Sequence, residues 1–257
     1  MNKLFSTSNN FFSSAIFSGV MLCSGFVVAQ ANAATEDPYQ VVQQTTEQVL
    51  AIVKEAKGYA QKEPERFHKE VTTVLDKVVD FDHFARGVMG SYASAQRYKA
   101  LTSDAEKAAF NDRIQRFSST FKKGLIDTYA NGLLNFNGQK IETLPLRKGD
   151  NLASGAVSIV QNIYNDTGKP YVIQYSMRRT KVGEWKLQNL IIEGINLGLT
   201  YRSQFAESAD LNKGDLDKVI ANWKVEPKVA SEIKAEASAA TSNVVSSASA
   251  VKKTDKQ

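Results

Sequence analysis

The chain predicts an α+β fold: N-terminal helices and one long helix packed on a curved antiparallel sheet of four strands, with short C-terminal helices closing the end. Three observations predict it. Apolar residues recur at intervals of three and four through residues 38–132, the pattern then alternates with period two over 140–192, and short turns join the alternating segments. Consecutive strands joined by short turns pair as an antiparallel meander.

Asp37 before Pro38 is an N-cap followed by proline at the first helical position. Val42, Thr45, Val49, Ile52, Val53 and Ala56 then line one stripe to about residue 61. Pro64 restarts the chain into a helix burying Phe67, Val71, Val74, Val78 and Phe81. A short helix carries Phe84, Val88 and Met89 to a break at Gly90, and another short helical segment covers residues 92–99. Ser103-Asp104-Ala105-Glu106 has capping-box spacing. It opens the longest helix, in which Phe110, Ile114, Phe117, Phe121, Leu125 and Tyr129 share a face before Asn131-Gly132 closes it.

Strands are expected at residues 140–146, 153–164, 171–180 and 184–192, with turns at 147–150, 165–168 and 181–183. In the third strand Tyr171, Ile173, Tyr175 and Met177 face one way; in the fourth, Trp185, Leu187, Asn189 and Ile191 do. Glu193-Gly194 reads as a turn into a final helix capped by Asn196 and packed through Leu197, Tyr201 and Phe205, with a last short helix over residues 216–223. The same patterning describes a filled interior and a hollow one.

The ends differ from this body. Lys3, an apolar run from Phe11 to Val28 and Ala31-Asn32-Ala33 read as a secretory signal peptide over residues 1–33, cut after Ala33. An uncleaved anchor is the alternative, but the run is short, serine-laced and ends in a cleavable pattern. Leu22 before Cys23, the only cysteine, is wrong for lipoprotein processing. An exported chain then carries no thiol, which excludes disulfides, thiolate catalysis and cysteine metal sites. Losing Lys3 moves the formal net charge from +5 to +4, too weak and scattered for nucleic acid. Residues 34–225 form the expected domain, and the Ala/Ser/Lys-rich stretch 226–257 is expected to be a disordered tail.

Catalytic and metal-ligating patterns are missing. His68 and His83 lie far apart, and no glycine-rich phosphate loop or Gly-x-Ser-x-Gly is present. Asp80-Phe81-Asp82-His83 is the best enzymatic lead, yet it falls at a helix junction where aspartate is expected as a cap. Two rival readings stand beside a binding protein. The expected sheet-and-helix arrangement is NTF2-like, and an NTF2-like periplasmic enzyme would use it with Asp80, Asp82 and His83 converging in its cavity. A periplasmic chaperone or scaffold would use the apolar faces for protein partners and show no defined internal volume.

Trp185-Lys186-Leu187-Gln188-Asn189-Leu190-Ile191-Ile192-Glu193-Gly194-Ile195-Asn196, followed by Tyr201-Arg202-x-x-Phe205, resembles the signature of the MlaC-type periplasmic phospholipid carriers, the toluene-tolerance family. Phe81-x-x-Phe84-Ala85-Arg86-x-Val88-Met89-Gly90-x-Tyr92 resembles their second characteristic segment. The resemblance implies a non-enzymatic periplasmic shuttle, monomeric and without cofactor, whose cargo is a glycerophospholipid. It implies exchange with an inner-membrane ABC transporter bearing an MCE-domain subunit and with an outer-membrane lipoprotein–porin complex, maintaining outer-membrane lipid asymmetry. The acyl chains would lie between sheet and helices. Their expected wall is Phe84, Val88, Met89, Phe117, Phe121, Leu125, Tyr129, Tyr171, Ile173, Tyr175, Met177, Leu187, Ile191, Tyr201 and Phe205, with Arg178 and Arg202 as head-group contacts.

Overall fold

The computed structural model describes residues 37–164 and 170–225. The expected signal peptide, the 165–168 turn and the C-terminal tail lie outside them.

Helix α1 spans Pro38–Ala56, and Asp37 caps it by accepting from the Tyr39 amide at 3.0 Å. Helix α2, Pro64–Val78, begins at its proline. Helix α3, Phe81–Met89, is capped by Asp80 and ends at Gly90, whose φ of 58° and ψ of −124° suit only a residue without Cβ. A 3₁₀ turn over Gly90–Ala93 leads into α4, Ala95–Lys99. Helix α5, Asp104–Leu133, opens with the complete Ser103–Glu106 capping box.

The sheet has five antiparallel strands in sequential order, where the alternation had indicated four: β1 Ile141–Thr143, β2 Ala156–Tyr164, β3 Pro170–Arg179, β4 Trp185–Ile192 and β5 Ile195–Asn196. The fifth was hidden because Glu193-Gly194 is a hairpin turn, not a swing into a helix. Both residues have positive φ, 49° and 85°, as a two-residue primed turn requires. Asn196 ends β5 and caps α6, Leu197–Leu211; α7 spans Leu216–Ala221.

A second departure lies inside β4. Its register against β3 shifts between Ser176 and Met177: Met177 pairs with Leu187 but Ser176 with Asn189, leaving Gln188 as an extra residue. A bulge of one residue exchanges the faces beyond it. Trp185 and Leu187 therefore point inward with Met177, but so do Leu190, opposite Tyr175, and Ile192, opposite Ile173. Ile191 pairs with Gln174 and Asn196 on the outer face. The expected inward Ile191 is corrected: the strict alternation that placed it there is broken at Gln188.

The apolar interior divides into three clusters rather than one. The largest joins α3, α5, α6 and α7 with the Ile173–Ile192 end of the sheet. A second joins the C-terminal half of α1 to α2 and α5 through Val53, Ala56, Phe67, Val71 and Ile126. The third packs Val41 and Val42 of α1 on Ile159, Met177 and Trp185. At the end of the described chain Val225 is buried against α5, where a Cβ on Gly124 would lie 2.6 Å from its Cγ2. Gly124 permits that approach.

Candidate functional site

Two of the three clusters, the α3–α5–α6–α7 one and the α1 one, reach the inner face of the sheet. Strand β3 has a partner on each side and helices over it, yet Tyr171, Ile173 and Tyr175 are only half-buried. Leu187 and Leu190 on β4, Leu125 and Tyr129 on α5, and Val49 and Leu75 on α1 and α2 are partly buried as well, each at the margin of a cluster. Central strands under a filled layer normally lose such surface.

The other expected wall residues behave differently. Phe84, Val88, Met89, Phe117, Phe121, Tyr201 and Phe205 are fully buried in the helical layer, and Met177 is buried beneath α1. Phe117 meets Phe205 edge-on at 4.8 Å and Trp223 at 5.2 Å between ring centroids, while Phe121 meets Tyr201 at 5.4 Å. Those distances belong to an occupied aromatic core.

A buried polar device that the sequence reading passed over sits on the same inner face. Gln161 is 2% exposed. Its Nε2 donates to Thr46 Oγ1 of α1 and Thr143 Oγ1 of β1, both at 3.0 Å, and its Oε1 accepts from the Tyr175 hydroxyl at 2.8 Å. The signal was available: Val157, Ile159 and Ile163 make an apolar stripe in β2, and a glutamine occupies the fourth place. Gln161 also floors a cleft of about 610 Å³ between α1 and β1, walled by Gln43, Thr46 and Leu50 on one side and by Phe136, Gln139 and Thr143 on the other. Gln161 thus stands between the cleft and the Tyr175 hydroxyl.

Neither expected head-group arginine stands at this cleft. Arg178 is exposed on the outer face of β3, and Arg202 of α6 donates from Nε to the Gly87 carbonyl at 2.7 Å. The acidic lead is structural. Asp80 accepts from the His83 amide at 2.9 Å, Asp82 accepts from Ser118 Oγ at 2.6 Å, and His83 is exposed. His68 lies on α2, 3.2 Å from Asp127 of α5. Among the described residues, no three of His, Cys, Asp and Glu come together as metal ligands would.

Burial raises the pKa of the Tyr175 hydroxyl, and burial also raises Tyr171, with the Glu193 carboxylate and Tyr129 adding to it. Tyr129 and Tyr201 share a hydroxyl hydrogen bond of 2.8 Å and are both raised by burial. A group raised in the folded state supplies stability below its unfolded pKa and loses it above. Stability should therefore hold to about pH 10 and then fall, by up to about 1.4 kcal/mol per pH unit for each tyrosine that keeps its proton only when folded. Urea titrations at pH 8, 9, 10 and 11 check this, since a flat profile would place these hydroxyls in water.

A family profile described as MlaC protein matches residues 43–225, most of the chain. The chain belongs to the MlaC family. It is 32% identical over 190 residues to the toluene tolerance protein ttg2D of Pseudomonas putida, covering 74% of this chain and 81% of that one. It is 24% identical over 177 residues to the intermembrane phospholipid transport system binding protein MlaC of Haemophilus influenzae, covering 68% and 75%. Among solved structures, the phospholipid-binding protein of Ralstonia solanacearum, determined with a phospholipid bound, has the same fold at a TM-score of 0.58 and 22% identity, over 72% of this chain and 94% of that one. The MlaC-like segment from Trp185 to Phe205 has a structural reason in this chain. It builds the bulged strand, the β4–β5 hairpin, the Asn196 cap and the Tyr201 and Phe205 anchors.

Proposed function

We propose that this chain is a soluble periplasmic carrier that takes a single glycerophospholipid by its acyl chains, between the inner face of the sheet and helices α1, α2 and α5. The observation that carries the reading is the half-buried apolar face of Tyr171, Ile173, Tyr175, Leu187 and Leu190, at the margins of two apolar clusters that leave it partly uncovered. Membership of the MlaC family and a fold shared with a phospholipid-bound protein support it. The α1–β1 cleft is the proposed mouth, with Gln43, Thr46, Gln139 and Thr143 near the polar end of the cargo and the carboxylates Glu47 and Glu142 also in its lining. The aromatic cluster around Phe117 serves as the rigid wall behind it.

The chemistry explains a chain without a catalytic constellation. A diacyl lipid carries about 30 methylenes at about 0.8 kcal/mol each, a gross cost above about 20 kcal/mol for bringing both tails into water. Real affinities stop short of such sums, but the size of the barrier requires a carrier that keeps the tails dry. Crossing the periplasm then needs no covalent step. Release requires a partner, and the family points to an inner-membrane ABC transporter with an MCE-domain subunit at one end. An outer-membrane lipoprotein–porin complex stands at the other, with lipid asymmetry as the outcome. Among the described residues no helix is long and apolar enough to cross a membrane.

Transfer of a fluorescent phospholipid between separated donor and acceptor vesicles tests the carrier role. Catalytic amounts of the protein should raise the transfer rate at least about tenfold, a barrier change of about 1.4 kcal/mol. Transfer no faster than with an unrelated soluble protein would exclude carriage.

A further inference from the structure

One end of the sheet is predominantly basic, with six cationic side chains against Asp150 and Glu184. The turn after β1 holds Arg147 and Lys148, and the β3–β4 hairpin holds Arg178, Arg179, Lys181 and Lys186. The two segments are neighbours, because Ala156 pairs with Arg178 and the Arg179 guanidinium donates to the Leu152 carbonyl at 3.0 Å. The acidic residues nearby are engaged: Asp150 accepts from the Arg147 amide, Glu184 pairs with Lys186, and Asp37 caps α1. Arg179 is held over the Trp185 ring at 5.5 Å. Arg147, Lys148, Arg178 and Lys181 are exposed and have no ion-pair partner among the described residues. At the apex, beside Lys181, Val182 is 81% exposed.

The apex is held firmly. Thr180 donates its amide to the Glu184 carbonyl at 2.7 Å, Gly183 donates to the Thr180 carbonyl at 3.0 Å, and the Glu184 amide donates to Thr180 Oγ1 at 3.1 Å. A rigid turn thus holds an aliphatic side chain out into water with cations around its base. Apolar tip and basic collar are the combination that seats on an anionic bilayer, where each cation near the surface adds attraction and the tip enters the head-group layer.

We infer that the β3–β4 hairpin and the 147–148 turn form a docking surface for anionic phospholipid membranes, with Val182 as the inserted residue. This surface is separate from the cargo face, and its test does not depend on whether lipid is carried. Co-sedimentation of the purified protein with vesicles reads surface binding, since protein that merely extracts lipid stays in the supernatant. Vesicles of phosphatidylcholine with phosphatidylglycerol should retain the protein, phosphatidylcholine alone should not, and salt should release it. Val182→Asp and the pair Arg178→Glu with Lys181→Glu should each lower the partition coefficient about tenfold, with unchanged circular dichroism. The pair Arg86→Glu with Lys99→Glu, exposed and on other elements, should leave binding as it is. Equal retention on neutral and anionic vesicles, wild-type binding by the hairpin variants, equal loss in the control pair, or capture by acidic proteins without vesicle binding would each overturn the assignment.

Discussion

Phe117→Ala is expected to lower folding stability by about 3–5 kcal/mol, read as a shift in the urea midpoint at unchanged slope. The ring is fully buried and touches Phe121, Phe205 and Trp223. It therefore joins α5 to α6 and to the segment after α7. Removing it leaves a void in a layer whose neighbours are themselves locked ring against ring, so little collapse can compensate. The size of the loss discriminates between two roles. A residue lining open space loses transfer energy but creates no new cavity, and a loss below about 1 kcal/mol would make Phe117 a cavity wall after all.

Ile173→Trp should have the opposite profile: a folded, soluble protein of near-normal stability whose bound phospholipid falls at least about tenfold. Ile173 is half-buried on the inner face beside Gln161 and Ile192, so a larger apolar ring has room to enter the proposed cargo space without a charge being buried. Gln174→Trp, one residue away and on the outer face, is the control and should keep its cargo. If the inner face were filled, Ile173→Trp would overpack it and cost about 1–3 kcal/mol instead. Cargo extraction and denaturant unfolding on the same preparations separate these outcomes.

Local chemistry made the helices readable. Asp37-Pro38, Pro64, the Asp80 cap and the Ser103–Glu106 box are each complete within four residues, and each starts a helix where its chemistry requires. What stayed hidden depends on partners distant in sequence. The Gln188 bulge is visible only once β4 is laid against β3, and its consequence, Ile191 turned outward with Leu190 and Ile192 inward, reverses the pattern a regular strand would give. β5 is two residues long and exists because Glu193 accepts a positive φ beside Gly194.

The candidate site was legible as a face but not as a boundary. Tyr171, Ile173, Tyr175 and Leu187 were read on the inner face and lie there. Alternation alone could not separate them from Phe84, Phe121 or Tyr201, because a buried ring and a lining ring follow the same period. Gln161 was the exception worth reading: a buried amide among aliphatic neighbours needs several partners, and here Thr46, Thr143 and Tyr175 supply them.

The phospholipid content of the chain, purified without detergent and extracted into organic solvent for mass spectrometry, bears most directly on the proposed cargo space over β3. The account predicts close to one glycerophospholipid per folded chain, lost in Ile173→Trp and kept in Gln174→Trp. Protein that carries no lipid, and takes up none after incubation with vesicles, would contradict it.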